Sequence, residues 1–182
     1  MASRRPKTTA APTPPTAPGR VIDYDALRLV SRASTLLDVT VERFAGTASQ
    51  PLAGIAATSL KQEMAFRGER RPMDGELVAA RMECRFTVST PEGRQLCEVE
   101  ASLWSIYSLN APIASFQAEA VDEFAEVNGL YHAWPFVREL VASCCTRLGL
   151  AGVLLPIWSP PNEFPARGEY HRIGFEPEPT VA

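Results

Sequence analysis

The sequence predicts an α+β fold: a four-stranded antiparallel sheet with helices packed on one face. Two observations carry this. Residues 78–104 alternate apolar and polar side chains with a period of two on either side of a turn, the mark of strands with one dry and one wet face. The strand-like runs precede Leu109, whereas the longest helical run lies after it; strands first and helices afterwards imply α+β. A third observation bears on assembly. The helical run Asn128–Leu150, NGLYHAWPFVRELVASCCTRLGL, is more apolar than one buried stripe requires.

The elements follow in order. Residues 1–20 carry five prolines among many Ala and Thr, too little apolar surface to offset ordering entropy, so this extension is expected to be disordered. Asp23–Leu36 reads as a helix that Asp23 can cap. Strand one alternates Leu37, Val39 and Val41 with Asp38, Thr40 and Glu42; strand two alternates Leu60, Met64 and Phe66 with Lys61, Glu63 and Arg67. Strand three is the clearest, with Val78, Ala80, Met82, Cys84, Phe86 and Val88 on one side and Arg81, Glu83 and Arg85 on the other. The turn Thr90-Pro91-Glu92-Gly93 leads into strand four, whose Cys97, Val99, Ala101 and Leu103 face the core. A register centred on that turn sets Phe86 beside Cys97 and Cys84 beside Val99. A short helix over Ala118–Val127 follows, then a long helix starting near Pro135, where the missing N–H costs nothing, and stopping at Gly149. Prolines 156, 160, 161, 165, 177 and 179 make the C-terminal part extended or disordered. The expected division is 1–20, a domain over 21–158, and a Pro-rich tail over 159–182.

Composition excludes several function classes. A net charge of −3 gives no electrostatic reason for a nucleic-acid partner. No uncharged apolar run is long enough to span a membrane, and the basic N-terminus lacks the apolar centre of a signal peptide, so a cytoplasmic protein is expected. The four cysteines show no metal-ligand spacing and read as buried thiols; no metal and no cofactor is expected. The only histidines, His132 and His171, have no evident Asp or Ser partner, and no phosphate-loop, dinucleotide or nucleophile-elbow motif is present. The chain reads as a non-enzyme.

Within 135–148, Phe136, Leu140 and Cys144 form one row and Val137, Val141, Cys145 and Leu148 the next. Both rows could cover the sheet, or the second could meet a symmetry mate.

Two stretches resemble the SecB family of protein-export chaperones. In LYHAWPFVRELVASCCTRLGLAGVLLPIW the matching residues are Trp134, Pro135, Phe136, Arg138, Glu139, Arg147, Leu154, Leu155 and Pro156; the second stretch is LCEVEASLWSI, Leu96–Ile106. The likeness runs from about Leu37 to Trp158. Two departures stand out: Ala101–Ser102 replaces the usual Gly-Gly, and prolines replace a second C-terminal helix. The N-terminal extension and Pro-rich tail look more like the SecB-like chaperones of toxin–antitoxin systems. The resemblance implies a homotetramer, a dimer of dimers, with Val137, Val141 and Cys145 at the subunit contact. It implies an ATP-independent holdase whose groove for unfolded polypeptide matches Leu103, Trp104, Ile106, Tyr107, Ile113 and Phe116. It implies a docking face for the export motor SecA at Leu96 and Glu98, with Asp38 and Glu42 as further candidates by spacing. Two other functions stay open: a dedicated chaperone of an antitoxin, and a protein that binds small apolar ligands.

Overall fold

A computed structural model describes residues 19–55, 59–71, 73–157 and 163–175. Of the extension expected to be disordered, 1–20, residues 1–18 lie outside them, while Arg20 belongs to a strand. Chain order is β1 (Arg20–Val21), α1 (Tyr24–Ala33), β2 (Ser34–Ala48), β3 (Lys61–Arg71), β4 (Leu77–Ser89) and β5 (Gln95–Leu109), then a single 3-10 turn (Ile113–Ser115), α2 (Ala118–Arg147), β6 (Glu163–Phe164) and β7 (His171–Phe175). The main sheet is antiparallel and five-stranded, ordered β2-β5-β4-β3-β7. A separate ribbon pairs β1 with β6. The expected α+β class and the four consecutive strands are present; β7 is a fifth strand, drawn from the part of the chain expected to be a mere tail.

The alternation of β4 places its residues as predicted. Val78, Ala80, Met82, Cys84, Phe86 and Val88 are all buried. The hairpin register differs: Val88 pairs with Cys97, Phe86 with Val99 and Cys84 with Ala101. The shift of two residues keeps every side chain on its predicted face. One residue of the shift comes from the turn, where the Thr90 amide bonds the Arg94 carbonyl at 2.9 Å around Pro91-Glu92-Gly93. The other comes from a bulge, because the step from Val88 to Ser89 spans Cys97 to Gln95 and leaves Leu96 as the extra residue. Gly93, at φ 90°, makes the tight turn that a side chain would oppose.

Asp23 caps α1 as expected, its Oδ1 accepting from the amides of Asp25 at 3.1 Å and Ala26 at 3.0 Å. The two expected later helices are instead one, the 30-residue α2, with Pro135 inside it. The amide that Pro135 lacks would have bonded the carbonyl of Tyr131; both residues lie on the solvent side of the helix. Gly129 does not punctuate either. A Cβ there would stand 2.5 Å from the Cβ of Ala80, so the glycine lets α2 lie directly on β4.

The core lies between α2 and the dry face of the sheet, with α1 against the first half of the helix. Val137, Val141 and Cys145 are each 0% exposed inside it. They face this chain's own strands and cannot meet a second copy, which corrects the expected subunit contact. Burial of each contributes roughly 1.5–3 kcal/mol to the fold. On its solvent side α2 carries two exposed apolar side chains on different flanks, Tyr131 at 57% and Phe136 at 45%, with half-buried Leu140 next to Phe136.

Candidate functional site

The most unusual surface is β2. It is 15 residues long, it ends the sheet, and not one of its side chains is buried. Leu36, Leu37, Val41 and Phe44 all stay open to solvent. Register sets Leu36, Val41 and Phe44 on the dry side, across from Tyr107, Leu103 and Ala101. Two bulges, at Leu37 and Glu42, reset the alternation so that the apolar residues after each one return to that side. They remain exposed because α2 leans on β3, β4 and β5 and least on β2. It approaches β2 where Gly46 meets Cys144 and Leu148. A long sheet edge with unused backbone groups and apolar side chains is a surface that takes another polypeptide.

The six groove candidates fall in three places. Leu103 and Tyr107 are 0% and 1% exposed beneath α2, so they support the site from within and cannot touch a ligand. The Tyr107 hydroxyl lies 2.9 Å from Nδ1 of His132; burial pushes the phenol well above its usual range and the imidazole below its own. Trp104 and Ile106 are half-buried on the opposite face of the sheet, across from Thr40 and Asp38. Ile113 and Phe116 belong to the crossover between β5 and α2 and line two crevices. Ile113 sits with Met73 and Val78, Phe116 with Leu29 and Val30. The sequence reading missed Leu36, Phe44 and Tyr131, because an apolar residue in a strand or helix reads as core until the roof above it is known.

The outer face of the sheet carries a lattice of paired charges. Arg81 bonds Glu42 at 2.8 Å and also pairs with Glu83. Arg67 reaches Glu83 at 2.7 Å and lies 4.9 Å from the centre of the Tyr170 ring. Arg85 holds Glu100 at 2.8 Å and approaches Glu98 at 3.9 Å. Burial raises the pKa of Glu83, but bonds from Arg67 and Tyr170 and the two guanidinium charges outweigh it and leave that carboxyl below its usual value. Of the four docking candidates, Leu96 is 1% exposed. The bulge turns it into the core, so it cannot dock a partner. Asp38 is exposed and takes the Thr40 hydroxyl at 2.7 Å. Glu42 and Glu98 each face an arginine.

The opposite edge, β3, is occupied by β7. His171 stacks on Phe66 with centroids 5.1 Å apart, Phe164 meets His171 edge-on at 4.5 Å, and Trp134 meets Phe66 at 5.4 Å. Phe164 is 0% exposed. Burial, helped by the charge of Arg20, lowers the pKa of His171 to about 4.

Among the described residues no helix is long and apolar enough to cross a membrane. No family model and no curated protein matches the sequence. The fold does match a solved structure, a Mycobacterium tuberculosis SecB-like chaperone in complex with a ChAD peptide from the HigA1 antitoxin. The TM-score is 0.62 at 16% identity, over 75% of this chain and 99% of that one.

Proposed function

We propose, from the SecB-like fold, that the chain is an ATP-independent chaperone that holds unfolded polypeptide segments. The observation that carries the proposal is the bare β2 edge with its exposed Leu36, Leu37, Val41 and Phe44, on a fold shared with a peptide-bound chaperone. Apolar shelves beside a sheet edge accept extended segments without a strict sequence requirement, since the backbone supplies the hydrogen bonds. Assembly belongs to the same reading. A second copy would cover the outward apolar side chains of α2, Tyr131 and Phe136, and leave the β2 edge to the client, which gives the homotetramer its contacts in place of the buried row.

A dedicated antitoxin chaperone is favoured over a general export factor. The matched chaperone carries an antitoxin peptide. The SecA docking face has lost Leu96 to the core, and Glu42 and Glu98 face arginines of this chain.

The test is titration of a reduced, unfolded protein into the purified chain. Suppressed aggregation at one assembly per client supports the holdase, and no protection removes it. Binding of a short antitoxin segment far tighter than a generic unfolded protein would assign the dedicated role.

A further inference from the structure

The segment 163–175 is bound to the rest of the chain in the way a chaperone binds a stranger. β7 adds to β3 in antiparallel register, Phe66 to His171 through Gln62 to Phe175. Its alternate side chains, His171 and Ile173, lie on the dry side opposite Phe66 and Met64, while Arg172 stands outside and pairs with Glu63 at 2.7 Å. Upstream, Phe164 fills an apolar socket beside His171 and is fully buried. Edge pairing, two inward side chains at i and i+2, and one aromatic anchor are the elements of strand addition to a sheet.

The fastening is weak for so much buried ring surface. β7 is five residues long and β6 only two. The polar ties run between partly exposed groups: Arg167 to Asp122 at 2.6 Å, Tyr170 to Glu83 at 3.1 Å, Arg172 to Glu63 at 2.7 Å, and Arg67 to the carbonyl of Gly168 at 3.0 Å. Such pairs contribute about 0–1 kcal/mol each. Nε2 of His171 is buried with no hydrogen-bond partner, which costs stability in the docked state.

We infer that the β3 edge, with the socket around Phe66 and Trp134, is a second polypeptide-binding site that the chain's own segment 163–175 occupies until an extended client displaces it. This rests on the chaperone reading and deepens it. The client class follows from the occupant: an extended segment with an aromatic residue, a polar spacer, and apolar or imidazole side chains at alternate positions. An edge strand released in this way also explains why an apolar socket does not promote aggregation when no client is present.

The test is amide hydrogen exchange on the full chain with and without a reduced, unfolded client. Displacement predicts that amides 171–175 lose protection roughly tenfold while amides 62–66 stay protected, because the client replaces β7 on the same edge. In the full chain, Phe164→Ala should tighten client binding roughly tenfold, since a loosened occupant competes less. The free peptide EFPARGEYHRIGF should compete with the client. If the client binds and leaves β7 protection unchanged, with Phe164→Ala binding no tighter, the segment is an ordinary structural strand; the inference falls and the chaperone reading stands. No client binding by either protein removes the chaperone reading itself.

Discussion

The two edges of the sheet are opposites. At β3 the chain finishes its own edge: β7 pairs with it, Met64 and Phe66 are at most 1% exposed, and rings from three segments meet around His171. At β2 nothing among the described residues pairs with the outer side, and every apolar side chain stays at least partly open. Both strands are long, and both have apolar residues on the dry side. What differs is cover. An edge finished in cis adds to the stability of the single chain, whereas a bare apolar edge adds to it only when something else arrives.

The largest effect should come from the covered edge. Phe66→Ala removes the ring shared by Trp134 and His171 and leaves a cavity between β3, α2 and β7. The expected loss is about 3–5 kcal/mol, read by chemical denaturation. A loss under about 1 kcal/mol would mean that the ring cluster does not bind the two layers together, and the contrast between the edges would fail.

Next is the bare edge. Lysine at both Val41 and Phe44 should change the stability of the isolated chain by no more than about 1 kcal/mol, because both side chains are already exposed. The same double variant should abolish protection of unfolded protein and leave the assembly intact in light scattering, because β2 is the client edge and not the subunit contact. Dissociation to single chains would instead make β2 the subunit contact and remove it as the client edge.

A third effect separates the edges by pH. His171 faces Phe66 of β3, Phe164 of β6 and the guanidinium of Arg20 in β1, which is itself held by Glu123 and Glu126. The fold prefers this imidazole neutral, with a pKa of about 4 against an ordinary value near 6.5. Its contribution is therefore full above about pH 6.5 and is lost as pH falls toward 4. Glu126 acts in the opposite sense, since burial, only partly offset by Arg20, raises its pKa and acid relieves that cost. The difference between the native chain and His171→Phe isolates the histidine. Exchange at amides 171–175 should rise on acidification in the native chain and not in the variant, while β2 should show no change linked to His171.

The contrast also explains what was legible in the sequence. β4 and β5 could be placed from alternation alone, because their neighbours on both sides belong to the chain and one wet face is held to water. The even register shift left their faces intact. α2 was read as two helices because Pro135 in isolation suits a first helical position. In the fold it faces solvent inside one helix. Leu96 was misassigned because a bulge has no sequence mark. β7 was hidden by flanking prolines, and the buried state of Val137, Val141 and Cys145 depends on which of two adjacent rows the sheet chooses.

The smallest effect on stability belongs to the outer face, and it decides the partner. Arg85 is more than half exposed and holds Glu100 at 2.8 Å, with Glu98 at 3.9 Å. Removing it in Arg85→Ala should cost no more than about 1 kcal/mol in denaturation, since exposed pairs are worth little. It also takes the guanidinium from Glu98, while Glu100 keeps its pair with Arg43 at 3.3 Å. If this face docks a cationic partner such as the export motor, Arg85→Ala should strengthen that contact severalfold at low salt, and Glu98→Lys should abolish it. If neither variant changes SecA binding, the lattice is a solvated surface that balances its own charges. The working surfaces are then the two sheet edges, one left open and one provisionally filled.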